Sequence, residues 1–556
     1  MAADDDVEGA ASSDFFAVAH VGAAATLSTS SDGDLWPSAW ADDGALYTAC
    51  GDGTGFAQDD FADIVVNRIE GHPRTGLEGA RLAAGREVSP VWTDPATFNS
   101  KPTGMVAVDG NGDGRDELYL AVQDLRCGES PDTFNTAPAA GIVCSEDYGR
   151  TWDQGSGVMF TGEFTTVMFL DFGQSNSGVS VLGDCQPMVY AYGLDHNWRT
   201  SYSGAVPDPV DLFLARVPAR AVQDRDAWEF FAGHRADGRP MWSVHLQDRI
   251  AVLTDRRRTS RWPSLPGVSP RPDGTMIAQG GVVYNAGLRR YLYSSWTEYT
   301  FEFYEAPAPW GPWRHFLRRD FGPLSGWLGP KVDLAHHGGY ATTIPSKFIS
   351  SDGRDAWVQS NWFYRAGSYP GNSYQFSLRP LRLDPERQGA AQKHPSRTNL
   401  ARIPGVHPIA SASRNGRLEV LNDGTSARAE DSWNGLRQEQ DWWGYTWPAP
   451  IRCNQVVLST GPRDAGAGWF AQPPVVQVRR SGQWEHVPAR ISPPYPPDST
   501  ATGARRYTFD FGPQVTTGVR LCGPSGGWGG YTSVSEIEVY LREEASTGDD
   551  YGSIET

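Results

Sequence analysis

Apolar residues along this chain come in short runs that alternate with polar ones and are broken by Gly, Pro and Asp, while sustained helical periodicity is scarce. That pattern predicts many short strands joined by turns. The clearest case is residues 34–52. Trp36 to Trp40 reads as one strand, Asp42-Asp43-Gly44 as a turn, and Ala45 to Cys50 as the return strand of a hairpin. Folding it about Asp43 sets Asp34 opposite Asp52. Directly opposed residues in an antiparallel pair lie about 5 Å apart, so two carboxylates meet at the open end of the hairpin. Like charges that close destabilise a fold unless they have a task. The alternative is two solvated strand-end acids.

Four similar units follow. They pair Gly104–Asp109 with Glu117–Asp124, Val167–Phe172 with Met188–Tyr192, Gly281–Asn285 with Arg290–Glu298, and Ser346–Ser350 with Ala356–Asn361. Each of the five units gains a third strand: Asp63–Arg68, Gly141–Cys144, Asp211–Arg216, Phe301–Tyr304 and Tyr374–Leu378. Radial repetition of such a unit predicts an all-β fold, a five-bladed β-propeller over residues 16–385. Six or seven blades fit if units merge around residues 200–280. Innermost propeller strands line a channel, so residues near their ends become candidates for substrate binding: Trp36, Lys101, Gln174, Asn176, Tyr284, Asn285 and Lys347. Lysine is scarce, confined to Lys101, Lys331, Lys347 and Lys393. Two of these precede innermost strands, where an ammonium can hold a sugar hydroxyl or steady a carboxylate; the alternative is a rim salt bridge.

Residues 386–405 are polar and unpatterned and read as a linker. From 406 to 542 alternating strands return, among them Arg417–Leu421, Gln455–Leu458, Val475–Val478, Arg506–Phe511, Gly518–Leu521 and Ile537–Tyr540. They predict a β-sandwich of jelly-roll type. Residues 1–15 and 543–556 read as mobile ends.

The formal charge of −18 disfavours a nucleic acid partner. Tryptophan is abundant, 21 residues, which suits sugar-like ligands as well as a core. No apolar run reaches the roughly 18 residues of a membrane span. The acidic, small-residue start reads as the beginning of a mature exported protein without its signal peptide, so secretion and a monomer are expected. Six cysteines show no metal spacing. Cys453 and Cys522 bracket the last unit and Cys127 and Cys144 a loop, as disulfides or as buried thiols.

Asp109-Gly-Asn111-Gly-Asp113-Gly114-Arg-Asp-Glu117 spaces oxygen ligands like a calcium loop, with Asp109, Asn111, Asp113 and Glu117 as ligands of a structural ion. The alternative is a plain acidic turn. Ser145-Glu-Asp147-Tyr-Gly149-Arg-Thr151-Trp152 resembles the Asp-box hairpin of sialidase-like propellers, a fold marker without a catalytic role. His72, Arg74, His336 and His337 lie in loops; such histidines serve as acid–base groups or simply as exposed residues. Glu298 holds in the fourth unit the place of Asp52 in the first, and with His337 completes the binding candidates. No serine-hydrolase elbow, phosphate loop or zinc-protease motif occurs.

Asn422-Asp423-Gly424, Trp433, Trp442-Trp443, Trp447 and Tyr531–Tyr540 resemble the discoidin, or coagulation-factor C-type, domain, which implies a carbohydrate-binding module in which Trp442, Trp443 and Trp469 are candidates to stack on sugars. Trp36-Pro37, Asp42-Asp-Gly44, Leu46-Tyr47 and Gly51-Asp52 resemble the start of a bacterial propeller family long known only as a domain of unknown function. So do Leu214–Pro218, Glu229–Gly233, Tyr284–Tyr291, Glu305–Trp313 and Pro345–Ser350. Some members are endo-D-arabinanases, inverting hydrolases with two early aspartates. The resemblance implies Asp34 and Asp52 as that pair. Where those enzymes read Gly-Asp-Thr, this chain reads Gly51-Asp52-Gly53.

The expected function is therefore a glycoside hydrolase acting on an arabinan-like polysaccharide, with Asp52 as acid and Asp34 as base. A second reading is a polysaccharide lyase using His72, Arg74, His337 and Tyr299. A third is a non-catalytic glycan-binding protein.

Overall fold

The structure, a computed structural model, describes residues 9–22, 29–58, 60–126, 136–155, 157–200, 206–259, 274–297, 300–320, 338–362, 374–386, 391–395, 397–435, 437–463, 466–480, 482–496 and 505–542. Glu298, Tyr299, His336, His337 and the expected mobile stretches 1–8 and 543–556 lie outside them. The chain forms two compact units, Met1–Ser13 with Ala19–Leu383 and Asp14–Val18 with Asp384–Thr556.

In the first unit, short turns return each strand antiparallel onto its predecessor. The first sheet holds Asp32–Trp40, Leu46–Gly55, Ala62–His72 and Gly76–Ala84 in chain order. The second holds Phe98–Val108, Glu117–Arg126, Ala139–Ser145 and Phe160–Thr161. The third runs Thr166–Asp171, Met188–Leu194, Asp211–Pro218, Glu229–His234 and Pro240–Ser243, with Ala251–Thr254 also on Asp211–Pro218. The fourth runs Gly281–Asn285, Arg290–Trp296, Thr300–Ala306 and Arg314–Asp320. Leu170 and Asp171 pair parallel with Val282 and Val283, joining the third and fourth into one ten-stranded sheet. The fifth contains Asp355–Trp362 and Tyr374–Pro385, edged by Phe16–Val21. The strand expected at 346–350 is instead a 3-10 turn, Ser346–Phe348. Pro345 precedes it and offers no N–H to a ladder; Thr343 makes the bridge to Gln359 in its place.

The apolar core lies between successive sheets. Tyr47, Ile64, Leu118 and Leu120 fill the first gap, Val106, Ala121, Val167 and Val189 the second, and Leu170, Tyr190, Tyr291 and Tyr293 the third. Trp36, Leu46, Phe376 and Leu378 close the fifth sheet on the first. Each Val, Leu, Ile or Phe among them contributes roughly 1.5–3 kcal/mol by burial. Gly104 permits a close approach between the second and third sheets: a Cβ there would sit 2.7 Å from the Val167 carbonyl oxygen. The N-terminal stretch is held where mobility is expected, since Ser13 N–H donates to the His315 carbonyl at 2.8 Å.

The second unit is an eight-stranded, sandwich-like sheet built on two long strands, Gln440–Thr460 and Arg506–Pro524. Register shifts between Thr446 and Ile451 and between Cys453 and Gln455 bend them. Trp443, Tyr445, Trp447 and Val456 form its core. Within the stretch 386–405 expected as a linker, Leu400 and Ala401 are buried in this core, and Trp447 Nε1 donates to the Leu400 carbonyl at 3.0 Å. The strand expected at Arg417–Leu421 is a 3-10 helix, Leu418–Asn422. Cys50, Cys144, Cys185, Cys453 and Cys522 are free thiols. Cys453 opposes Gln514 while Cys522 opposes Trp442, so the ladder holds these two apart. No helix among the described residues is long and apolar enough to cross a membrane.

Candidate active site

The opening hairpin carries the site, in a different register from the symmetric one. Asp34 opposes Gly51, and the ladder shifts between Asp32 and Asp34 and again between Leu35 and Ser38. Leu35, Trp36 and Asp52 adopt left-handed backbone with φ of 73°, 65° and 43°, each costing about 1–3 kcal/mol. Gly51 leaves room for the acid across from it. A Cβ there would lie 2.5 Å from Asp34 Oδ1 and 3.1 Å from Lys101 Cδ. Gly51→Ala is therefore expected to push both side chains aside and destabilise the fold by about 1–3 kcal/mol, read as a lower melting temperature.

Asp34 is 6 % exposed. Its Oδ2 accepts a 2.6 Å hydrogen bond from Tyr340 Oη, and its buried Oδ1 has no hydrogen-bond partner among the described residues. Lys101, 1 % exposed, pairs its ammonium with Asp52 Oδ1. Burial drives the Asp34 pKa up to about 6; the Lys101 charge opposes this, the Asp52 charge adds to it, and the Tyr340 hydrogen bond opposes it. One carboxyl is thus set to hold a proton, while the other stands ion-paired beside it.

Tyr340 is fixed in turn. Its N–H donates to Asn361 Oδ1 at 2.8 Å, and its ring packs on Trp296, Trp198 and Tyr374. The Arg199 guanidinium lies over both indoles. Tyr340, Asn361, Trp198, Trp296 and Arg199 carry no local motif that marks them in the sequence.

Several expected site residues do other work. Trp36 is fully buried, edge-on to Phe56 and Phe376, with Nε1 donating to the Gly33 carbonyl, so it is core and offers no face to a sugar. Tyr284 packs on Phe172 and Tyr291. Gln174, Asn285 and Lys347 gather at the opposite end of the first strands, roughly 20 Å along the hairpin from Asp34 at about 3.3 Å per residue. There Gln174 donates to the Ala41 and Asp42 carbonyls and Lys347 to Gly44 at 2.7 Å. Asn285 donates to Gly353, and Asn176 to Met188 at 2.9 Å. These are fasteners between sheets. His72 and Arg74 follow the strand that pairs alongside Leu46, also at that far end, where Arg74 pairs with Asp355.

The first strands of four sheets and residues 343–345 together line one cavity of about 30 Å³. That is room for a water or two, not for a sugar.

In the 109–117 turn, carboxylate oxygens of Asp109, Asp113 and Glu117 all lie within 4.8 Å of one another. The Asn111 Oδ1 is turned to the Asp113 N–H at 2.8 Å. In the 145–152 hairpin Asp147 accepts from the N–H groups of Arg150 and Thr151 and from the Thr151 and Ser145 hydroxyls. Trp152 Nε1 donates to Gly149. This is a self-contained turn lock.

In the second unit Trp443 is core, its Nε1 bonded to Thr532, and Trp469 is nearly buried. Trp442 stays half-exposed. The most open aromatic among the described residues is one the sequence reading passed over, Trp528, 80 % exposed with its indole against Gly466.

No family model matches the chain, and no curated protein matches it. Similar solved structures include a chain from the multifunctional Streptococcus pneumoniae beta-galactosidase BgaA, 15% identical over 25% of this chain and 92% of that one, with a TM-score of 0.22. The family 32 carbohydrate-binding module of Clostridium perfringens NanJ in complex with galactose is 14% identical over 24% of this chain and 93% of that one, with a TM-score of 0.20. A Bacteroides ovatus protein solved as a candidate hydrolase is 11% identical over 65% of this chain and 86% of that one, with a TM-score of 0.37. At such TM-scores none of them decides a function for this chain.

Proposed function

We propose that the first unit is a five-bladed β-propeller whose opening hairpin makes it a glycoside hydrolase acting on an arabinan-like polysaccharide. The convergence of the first strands of four sheets and residues 343–345 on one narrow cavity supports the propeller. The carrying observation for the chemistry is the pair on one hairpin: a buried Asp34 whose pKa is raised to about 6 beside an ion-paired Asp52. When environments separate two carboxyls in this way, the one with the raised pKa is the acid. Asp34 then protonates the leaving oxygen and Asp52 activates water, the reverse of the roles expected from sequence. Tyr340 and Lys101 are positioning residues.

A screen of arabinans, arabinogalactans and plant gums tests this. New reducing ends with inverted anomeric configuration by NMR are the expected result. Products absorbing as unsaturated uronates would establish the lyase reading instead, and no cleavage of any glycan would leave a binding protein.

The second unit is proposed as the glycan-binding module of a secreted monomer, with Trp528 as its open platform. The 109–117 turn is proposed as a structural calcium site held by Asp109, Asp113 and Glu117. Calcium takes oxygens at 2.3–2.6 Å, so oxygens within 4.8 Å of one another fit around one ion. Chelation is expected to lower the melting temperature by a few degrees, and Asp113→Ala to abolish that difference.

A further inference from the structure

The outer face of the second unit's sheet carries a fixed charge that neither the hairpin pair nor Trp528 uses. In its ladder Trp442 opposes Cys522, Gly444 opposes Arg520, and Arg520 opposes Gln477. One row on, Gly518 opposes Arg479, which opposes Trp484. Alternate residues of a strand share a face, so Trp442, Arg520, Gln477 and Trp484 stand together. Their sequence neighbours Trp443, Val476, Val478 and Leu521 fill the core on the other side.

Arg520 is held flat. Its guanidinium lies 4.8 Å from the centroid of Trp442 and 4.4 Å from that of Trp484. Its Nε donates to Gln477 Oε1 at 2.7 Å. Two glycines make the space: a Cβ on Gly518 would sit 2.8 Å from the Trp484 ring, and one on Gly444 2.7 Å from Arg520 Cβ. An ordinary surface arginine turns freely and binds weakly. Here the side chain's entropy is already spent on the sandwich, and the planar fork is held in one orientation. No carboxylate pairs with it among the described residues. By contrast, Arg479 on the same face gives its terminal nitrogens to the Phe16 and Ala17 carbonyls. Burial lowers the Arg520 pKa to about 10, which leaves it charged at neutral pH.

We propose that this face is a subsite for an acidic sugar: an anionic group on a glycan accepts from the two terminal nitrogens of Arg520 while the sugar's C–H face packs on Trp442 or Trp484. The proposal rests on reading the second unit as a glycan-binding module. A single fork between two indoles matches one anion per sugar ring.

Calorimetry on the full chain with oligogalacturonate, sulfated galactan oligosaccharides and neutral galacto-oligosaccharides tests it. The wild type is expected to bind an acidic ligand, and Arg520→Gln to weaken that binding at least about tenfold with neutral binding unchanged. Binding of the uronate or of the sulfated ligand alone identifies the anion. Trp484→Ala should weaken acidic binding as well. If Arg520→Gln melts early, Gln477→Leu, which releases the Nε tether, should cost several-fold. Equal acidic binding by wild type and these variants overturns the proposal. Neutral binding that Trp528→Ala removes, with no acidic binding, overturns it and leaves the module intact. Binding to no glycan at all overturns both.

Discussion

Asp34→Asn and Asp52→Asn should each lower glycan cleavage by about 10²–10⁴-fold or more, the range supplied by a positioned acid or base, measured as reducing ends released at saturating substrate. The two variants differ in their second effect. Asp34 is held under electrostatic strain, because burial raises its pKa to about 6 from an ordinary 3.8. A carboxyl whose folded pKa is raised binds its proton more tightly in the fold than in the unfolded chain. Stability is then highest below the unfolded pKa and falls as pH rises toward 6. At about 1.4 kcal/mol per pKa unit, ionised Asp34 costs up to about 3 kcal/mol above pH 6. Asp34→Asn removes that cost, so the inactive protein should melt higher than wild type at pH 7 and no higher at pH 4. A variant equally active to wild type, or one less stable at pH 7, contradicts the assignment.

The second large effect is expected at Lys101. Its ammonium is buried, pairs with Asp52 and opposes the rise in the Asp34 pKa. Lys101→Met is expected to cost about 100-fold or more in rate, because the Asp52 carboxyl loses the contact that sets its position. The same change should move the alkaline limb of the pH–rate profile upward, since Asp34 then keeps its proton to higher pH. Tyr340→Phe removes a weaker opposing hydrogen bond and should shift that limb in the same direction by less. Asp52→Asn, which removes a like charge, should lower the Asp34 titration seen by carboxyl-carbon NMR. Unmoved limbs in both Lys101→Met and Tyr340→Phe would mean that another group titrates in the profile.

Locally written features were legible. The hairpin turn at Asp42–Gly44 and the Asp147 lock follow from residues within a few positions of one another, and they form as read. Counting outward from the turn brought Asp34 and Asp52 to one end of the hairpin but missed the facing residue. The two register shifts depend on left-handed Leu35 and Trp36, whose side chains do not signal that backbone. Periodicity also could not say which face of a strand meets the core, so Trp36 read as a ligand contact. Gln174, Asn285 and Lys347 do lie at strand ends, but at the end away from Asp34, because a pattern of apolar residues gives a strand no direction. Tyr340 was invisible. Its bond to Asp34 is set by tertiary packing, and nothing in a loop tyrosine's neighbours announces it.

That bond has a bearing on how the protein is made. Tyr340 lies 306 residues after Asp34, and Lys347 reaches the carbonyl of Gly44 across 303. The ribosome therefore releases the hairpin long before it releases the hydroxyl that bonds Asp34 and the ammonium that fastens the turn. Contacts this remote in sequence form slowly and late. A nascent chain halted before residue 340 would hold both aspartates and Lys101 but not the Tyr340 hydroxyl, and the surroundings of Asp34 would be completed only as the chain beyond that point emerges.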